Sequence, residues 1–200
     1  LYYSPGACSL SSHIVLRETQ SRFSLARVNL QQQTLEDGTD FKSVSSRHQV
    51  PVLELDDGFR LSEGPVVMQF IADRQGATNL LPAPGSAQRW RVLEWCNHLT
   101  SEVHKSFTPI FHGKLDAASI GQLKAGLKDK LAYLDGHLAG RDYLTDSGFT
   151  IADAYLFVLL GWVPHIKLDI SDLGHLATFR ARVGSRPSVR EALQAEGLAL

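Results

Sequence analysis

The pattern of apolar and polar positions divides the chain into a first part with short apolar runs and a second part with helical spacing. In the first part, the apolar runs are separated by polar turns that contain Pro5-Gly6 and Asp57-Gly58. Short runs bounded by turn residues predict β-strands. After about residue 87, apolar residues recur three and four positions apart, which is typical of amphipathic helices. The pattern therefore predicts a strand-containing unit followed by helices.

The first part has the order of elements found in a thioredoxin-like unit. The predicted strands lie at residues 1–3, 24–29, 52–55 and 59–61, and the last two form a hairpin around Asp57-Gly58. The predicted helices run from about Cys8 to Gln20, over residues 40–44, and onward from Glu63-Gly64. The order is strand, helix, strand, helix, strand, strand, helix.

The second part is predicted to be wholly helical and to follow a linker rich in Pro and Gly at residues 77–86. Helices are predicted at residues 87–111, 120–138, 151–163, 173–183 and 188–196. Thr150 and Asp153 mark the start of the third of these helices, because they form a capping box that also explains Asp153 without a catalytic role. The predicted fold class is an α+β thioredoxin-like N-terminal domain at residues 1–76 and an all-α helical-bundle domain at residues 87–200.

Composition and charge exclude several classes of function. The 200 residues include 20 basic and 21 acidic side chains, for a net charge of −1, so no nucleic acid and no anionic membrane is expected as a partner. No apolar run reaches the length of a membrane span. Two cysteines cannot form a disulfide framework, so a reducing, cytoplasmic location is expected.

Cys8 is the first candidate for chemistry, because it stands between a predicted strand and a predicted helix. Free N–H groups and the positive end of the helix dipole point to this position. That environment favours the thiolate, which is the reactive form of cysteine. The alternative is a small buried cysteine that only fills space. Position makes the reactive interpretation the stronger one.

A second group of candidates lies around Val50-Pro51 and Glu63-Gly64. Proline at the first residue of a strand is compatible with simple edge geometry. A cis bond at Pro51 is the alternative, and it would aim the N–H and C=O groups of Val50 at an extended peptide. Glu63 and Gly64 at a helix start offer a carboxylate for an amine and N–H groups for an anion. Together these features suit a small zwitterionic peptide beside Cys8.

An ordered set of motifs over nearly the whole chain resembles the bacterial beta-class glutathione S-transferases. The motifs are Tyr-Ser-Pro-Gly-Ala-Cys-Ser-Leu at 3–10, Gln-Val-Pro at 49–51, Asp-Asp-Gly at 56–58, Ser-Glu-Gly at 62–64, Glu-Trp at 94–95, Glu-Val-His-Lys at 102–105 and Phe-Thr-Ile-Ala-Asp-Ala-Tyr at 149–155. Each motif alone is of moderate specificity, whereas the ordered set is highly specific.

The resemblance implies a homodimer that binds glutathione as co-substrate and needs no metal. It places Cys8 near the glutathione sulfur and makes Cys8 and His104 the candidate catalytic residues. The residues that it implies for glutathione binding come from both domains, and some reach across the dimer: Cys8, Gln33, Val50, Pro51, Glu63, Gly64, Asn97, Ser101, Glu102, Val103, His104 and Lys105.

This chain departs from the family pattern at two positions that bear on glutathione affinity. Gln33 stands where the family often has a lysine for the glycine carboxylate, and a charge-assisted bond is lost there. The loop Asn-Pro-Lys-Gly of the family is replaced by residues 45–48, in which Arg47 keeps a cation.

The predicted function is conjugation of the glutathione thiolate to small hydrophobic electrophiles, a detoxification activity. Two alternatives remain open: thiol–disulfide exchange through Cys8, and a non-catalytic carrier of hydrophobic ligands. His98 and Glu102 lie four residues apart on one helical face with His104 nearby, but no third ligand has convincing spacing, so no metal site is predicted. Trp162 is interpreted mainly as packing, with the edge of a hydrophobic pocket as the alternative, and Cys96 is interpreted as core or groove wall.

Overall fold

The computed structural model describes residues 1–111 and 113–199, and its first part is built on a small mixed β-sheet. The five strands are β1 Tyr2–Tyr3, β2 Ala26–Asn29, β3 Thr34–Leu35, β4 Val52–Glu54 and β5 Arg60–Ser62. They lie in the order β3-β2-β1-β4-β5. β1 is parallel to β2, and the other neighbouring pairs are antiparallel. This arrangement agrees with the predicted thioredoxin-like topology.

The helix α1, Ser9–Glu18, connects the sheet to the rest of the molecule. Its residues from Ser9 to Leu16 are all buried, and it packs against α2 Gly64–Arg74 as well as against two helices of the second part. Cys8 directly precedes α1. Because α1 is buried between neighbouring helices, it holds Cys8 in a fixed position in the interior of the protein.

The polar segment between β2 and β4 differs from the prediction. β3 was not predicted, and residues 40–44 form a single 3₁₀ turn, Phe41–Ser43, in place of an α-helix. The side chain of Asp40 accepts the N–H of Lys42 at 2.9 Å, and this local bond closes the turn early. Phe41 is fully buried in a small cluster with Val28, Val50 and Val52, so one anchored aromatic holds the segment to the sheet.

The second part consists of helices that share a hydrophobic core with the first part. They are α3 Ala87–His98, α4 Lys105–Phe111, α5 Ala117–His137, α6 Ile151–Trp162, α7 Gly174–Gly184 and α8 Pro187–Ala195. Leu80 and Leu81, within the predicted linker, are buried in that common core. None of the helices in the described residues is long and apolar enough to cross a membrane.

The predicted continuous helix at residues 87–111 is interrupted. Between α3 and α4, Leu99–His104 form a π-helical segment. The Thr100 hydroxyl donates to the carbonyl of Cys96 at 2.8 Å, a side-chain bond of the kind that bends helices. π-Helical turns are rare and are frequent at functional sites, and here the turn carries His104.

The helix α6 is almost completely buried, and Asp153 organises its start. The Asp153 carboxylate accepts the N–H of Thr150 at 2.9 Å, the hydroxyl of Thr150 at 2.7 Å and the N–H of Leu144 at 2.8 Å. The predicted capping box is therefore present. The bond to Leu144 also ties the preceding loop to the helix start.

The substitution Asp153→Asn tests this role. The side-chain amide keeps the size of the carboxyl group but loses one of its acceptor oxygens, so a buried donor is left without a partner. We expect the free energy of unfolding to fall by about 2 kcal/mol in urea titrations. Asp146→Asn, at an exposed position, is the matched control and is expected to change it by less than about 0.5 kcal/mol. Equal effects of the two substitutions would contradict the structural role of Asp153.

Candidate active site

A cavity of about 850 Å³ lies where the sheet part meets the helical part. The sheet part contributes polar backbone and side chains from the Ser4–Cys8 loop, the turn before β4 and the start of α2. The helical part contributes Phe107, Phe111 and Trp162, which give the opposite wall an aromatic character. The cavity therefore joins a polar half to an apolar half.

Most of the predicted site residues line this cavity. They are Cys8, Gln33, Val50, Pro51, Glu63, Gly64, His104 and Lys105. Asn97, Ser101, Glu102 and Val103 do not line it within one chain.

These last four residues lie on or under another face of the helical part. Asn97 and Ser101 are exposed, and Val103 is fully buried in the core. The carboxylate of Glu102 forms an ion pair with Lys130 at 3.1 Å. None of the four therefore reaches the cavity of its own chain.

The surroundings of Cys8 favour the protonated thiol, contrary to the electrostatic expectation from the sequence. Its Sγ donates a hydrogen bond to the carbonyl of Val50 at 3.3 Å. Burial raises the pKa of the Cys8 thiol to about 11, and this effect outweighs the backbone N–H groups of Cys8 and Ser9, which lower the pKa. The N–H groups at the helix start thus lower the pKa of the thiol, as expected, but the loss of solvent raises it by more.

The predicted cis peptide bond is present between Val50 and Pro51. Val50 is buried beside Cys8, and its carbonyl accepts the hydrogen bond from the Cys8 thiol. A peptide ligand that donated to this carbonyl would share it with Cys8 or displace the thiol.

Glu63 stands directly before α2 with a left-handed backbone, φ +69°. Its carboxylate forms an ion pair with the exposed Arg47 guanidinium. The helix start offers fewer donors than predicted, because Pro65 has no N–H and the N–H groups of Val66 and Val67 both donate to the Glu63 carbonyl. Binding of an anion at this helix start therefore depends on the Gly64 N–H.

The side chain of Gln33 is engaged with its own neighbourhood. Its Nε2 donates to the carbonyl of Leu30 at 2.7 Å, and its Oε1 lies 3.2 Å from Nδ1 of His48. Arg47, His48 and Lys105 surround the same opening as Gln33. The positive charge that a lysine at position 33 would supply is thus available from other side chains of the rim.

His104 lies on the wall that belongs to the helical part. Its Nδ1 is 2.6 Å from the hydroxyl of Tyr155, and the indole of Trp162 stands edge-on to its ring with centroids 4.8 Å apart. Burial and the neighbouring Lys105 lower the pKa of His104 to about 4, so the ring is neutral at physiological pH. A neutral imidazole can donate or accept one hydrogen bond at its free nitrogen.

The sequence assigns Tyr155 no role in the site, and it offers a pocket-lining role for Trp162 only as the alternative to packing; both residues line the cavity. The indole N–H of Trp162 donates to the carbonyl of Gly6 at 2.8 Å, so Trp162 anchors the loop that carries Cys8. Tyr155 is the last residue of the family motif at 149–155, and that motif is the one sequence feature that could have indicated it. Neither role follows from helical periodicity, because both side chains also continue the apolar pattern of α6.

A buried carboxylate near the C-terminal end of the chain also binds the Ser4–Cys8 loop. Glu196 accepts the N–H of Gly6 at 3.0 Å and contacts Nδ1 of His13 at 2.9 Å. No sequence motif marks Glu196.

Within the described residues, no cluster of three or more His, Cys, Asp or Glu side chains has the geometry of a metal site.

Comparisons with known proteins cover both parts of the chain. The family model for the glutathione S-transferase N-terminal domain matches residues 6–74, and that for the C-terminal domain matches residues 99–187. The glutathione S-transferase GstA of Escherichia coli O157:H7 is 43% identical over 198 residues, which cover 99% of this chain and 98% of that protein.

Solved structures agree. A beta-class glutathione S-transferase of Sphingomonas chungbukensis superimposes with a TM-score of 0.95 at 39% identity, covering 100% of this chain and 99% of that chain. A sphingomonad glutathione S-transferase complexed with glutathione gives a TM-score of 0.94 at 42% identity, with the same coverage. The resemblance found in the motifs is thereby confirmed, and the chain belongs to the glutathione S-transferase family, with bacterial beta-class members among its structural neighbours.

Proposed function

We propose that this glutathione transferase conjugates the thiolate of glutathione to small hydrophobic electrophiles in a cytoplasmic detoxification role. The observation that carries the proposal is the two-sided cavity, with peptide-binding groups on the sheet side and aromatic rings on the helical side. Holding two reactants in one cavity converts a bimolecular reaction into an effectively unimolecular one. The sulfur would lie at the boundary between the two halves, near Cys8 and His104.

In this proposal, glutathione occupies the polar half. The backbone of Val50, beside Pro51, pairs with the cysteinyl unit, and Glu63 with Gly64 receives the γ-glutamyl end. Arg47 and Lys105 supply positive charge for a ligand that carries two carboxylates. Arg47 must then exchange part of its contact with Glu63 for the ligand, which is feasible because both side chains are exposed.

The electrophile occupies the apolar half. Phe107 and Phe111 stack at 5.8 Å, and Trp162 stands edge-on to both rings. Such a wall favours a flat apolar acceptor, since aromatic rings prefer offset-stacked and edge-to-face contacts.

We also propose a homodimer. Trp90 and Tyr133 on the helical part are 63% and 61% exposed, and Val66 on α2 is also exposed. Large apolar side chains that remain accessible in one chain are typical of surfaces buried by association. Asn97, Ser101 and Glu102 would then contribute to the site of the other subunit, as the family resemblance implies.

Conjugation is favoured over thiol–disulfide exchange by the state of Cys8. Exchange through Cys8 requires its thiolate, whereas the thiol donates to the Val50 carbonyl and its pKa is raised to about 11. A purely carrier role leaves the polar half of the cavity without a use.

Glutathione binding and conjugation can be tested together with the substitution Glu63→Gln. We expect the wild type to bind glutathione in calorimetry and to conjugate it to 1-chloro-2,4-dinitrobenzene. Loss of the charge partner for the ligand amine should raise the KM for glutathione about tenfold with little change in kcat. Glu36→Gln, at a position outside the cavity, is the control. Absence of binding and of conjugation in the wild type would refute the proposed function.

The pH dependence of alkylation tests the protonation state of Cys8. With a pKa of about 11, roughly one thiol in ten thousand is ionised at pH 7, and this fraction rises about tenfold per pH unit. We expect iodoacetamide labelling, followed by intact mass, to accelerate in this way from pH 7 to pH 10. Cys8→Ala identifies the labelled residue, since Cys96 is buried with a pKa of about 12. A rate that levels off near pH 8 would restore the case for exchange.

A further inference from the structure

His104 is held by a hydrogen bond to a buried tyrosine, and the direction of that bond decides what the histidine can do. The hydroxyl of Tyr155 lies 2.6 Å from Nδ1 of His104. Tyr155 is 2% exposed and both residues line the cavity. If Tyr155 donates, His104 carries its proton on Nε2 and is a donor at that nitrogen. If Tyr155 accepts, Nε2 is a base.

The length of the contact is compatible with Tyr155 as the donor. Hydrogen bonds from N–H groups to oxygen are usually about 2.7–3.2 Å long, whereas those from O–H groups are about 2.5–3.0 Å. The distance of 2.6 Å fits the second range. A buried hydroxyl proton without an acceptor costs free energy, and within the described residues Nδ1 of His104 is the hydrogen-bond partner of the Tyr155 hydroxyl.

The neighbouring Thr100 hydroxyl does not supply a competing proton. It lies beside the Tyr155 hydroxyl, but its own hydrogen is donated to the Cys96 carbonyl at 2.8 Å. Thr100 therefore cannot donate to Tyr155 at the same time. The π-helical segment carries both Thr100 and His104, so one irregular turn brings the three polar groups together.

The orientation of the His104 ring is set by a second aromatic side chain. Trp162 stands edge-on to the ring, and the indole N–H is itself anchored on the Gly6 carbonyl. Rotation of the imidazole would break the Tyr155 bond and disturb this packing. The ring is thus held by two side chains of α6, Tyr155 and Trp162.

We propose that Tyr155 is a positioning residue that holds His104 as the tautomer protonated on Nε2, and so makes His104 an N–H donor to the sulfur of the bound thiol. This inference rests on the proposed function, in which that thiol belongs to glutathione. The proton released when the thiol ionises then goes to solvent, because Nε2 already carries a proton. Burial of His104, which keeps the ring neutral, agrees with this assignment.

Long-range ¹H–¹⁵N correlation spectra of the full chain, labelled with ¹⁵N-histidine and free of ligand, test the tautomer directly. His104→Asn identifies the signals of His104 among those of the eight histidines. We expect Nδ1 to resonate as the unprotonated nitrogen and Nε2 as the protonated one. The reverse pattern in the wild type would overturn the proposal, and so would a His104 pattern in Tyr155→Phe identical to that of the wild type.

Kinetics then test the consequence. Tyr155→Phe keeps the ring but removes the hydroxyl, so His104 should populate both tautomers, and kcat should fall about tenfold with the KM for glutathione within about twofold. Tyr143→Phe, at a position outside both the cavity and the proposed dimer surface, is the matched control and should change neither value. An unchanged kcat in Tyr155→Phe would overturn the positioning role. The spectra need no glutathione, so a wild type that failed to bind glutathione would refute the proposed function while leaving the tautomer readable.

Discussion

The buried carboxylate of Glu196 is the contact on which the geometry of the cavity depends. Its two oxygens hold the N–H of Gly6 and Nδ1 of His13, and the side chains of Glu196 and His13 are both fully buried. Arg17 donates to Nε2 of the same imidazole at 3.1 Å, so His13 must carry its proton on Nδ1 and donate it to the carboxylate. The buried charge is therefore met by a chain of donors that ends at a guanidinium. A buried carboxylate without such donors would be strongly destabilising.

This network explains how the loop before α1 holds Cys8 in one position, although the loop is short and contains a glycine. Gly6 has φ +71°, a conformation that side chains with a Cβ rarely adopt. Its N–H is bound by Glu196 and its carbonyl by the Trp162 indole, so both of its polar backbone groups are held by the helical part. The position of the cysteine thus depends on the helices that follow as much as on the sheet that precedes it. Loss of the contacts that Gly6 makes with Glu196 and Trp162 would therefore displace the Cys8 sulfur more than it would displace the β-sheet.

Local sequence patterns predict most of the fold and the polar half of the site. They do not predict the contacts between the sheet part and the helical part. Helical periodicity and the capping residues located α6, and Pro51 and Glu63 stand at element boundaries that turn chemistry reveals. β3 is too short and too polar to give a periodic signal, and the π-helical turn interrupts a pattern that still looks helical. The roles of Tyr155, Trp162 and Glu196 arise from tertiary contacts between residues far apart in the chain. The local sequence also predicts a Cys8 thiolate, whereas burial by the surrounding residues raises the pKa of the thiol more than the N–H groups of the helix start lower it.

The electrostatics of the cavity favour fixed dipoles over charged side chains as the source of thiolate stabilisation. Cys8 is protonated and His104 is neutral, so neither supplies a full charge next to the reacting sulfur. The backbone N–H groups of Cys8 and Ser9 nevertheless act on a sulfur at this position, since they lower the pKa of the thiol that burial raises. A second sulfur entering beside Cys8 would meet the same N–H groups, with an N–H of His104 on the opposite wall. Donors already held in place need no reorganisation when the anion forms, which makes them more effective than the same groups in water. In the proposed complex, Cys8 marks the site of the anion, and glutathione supplies the thiolate that occupies it.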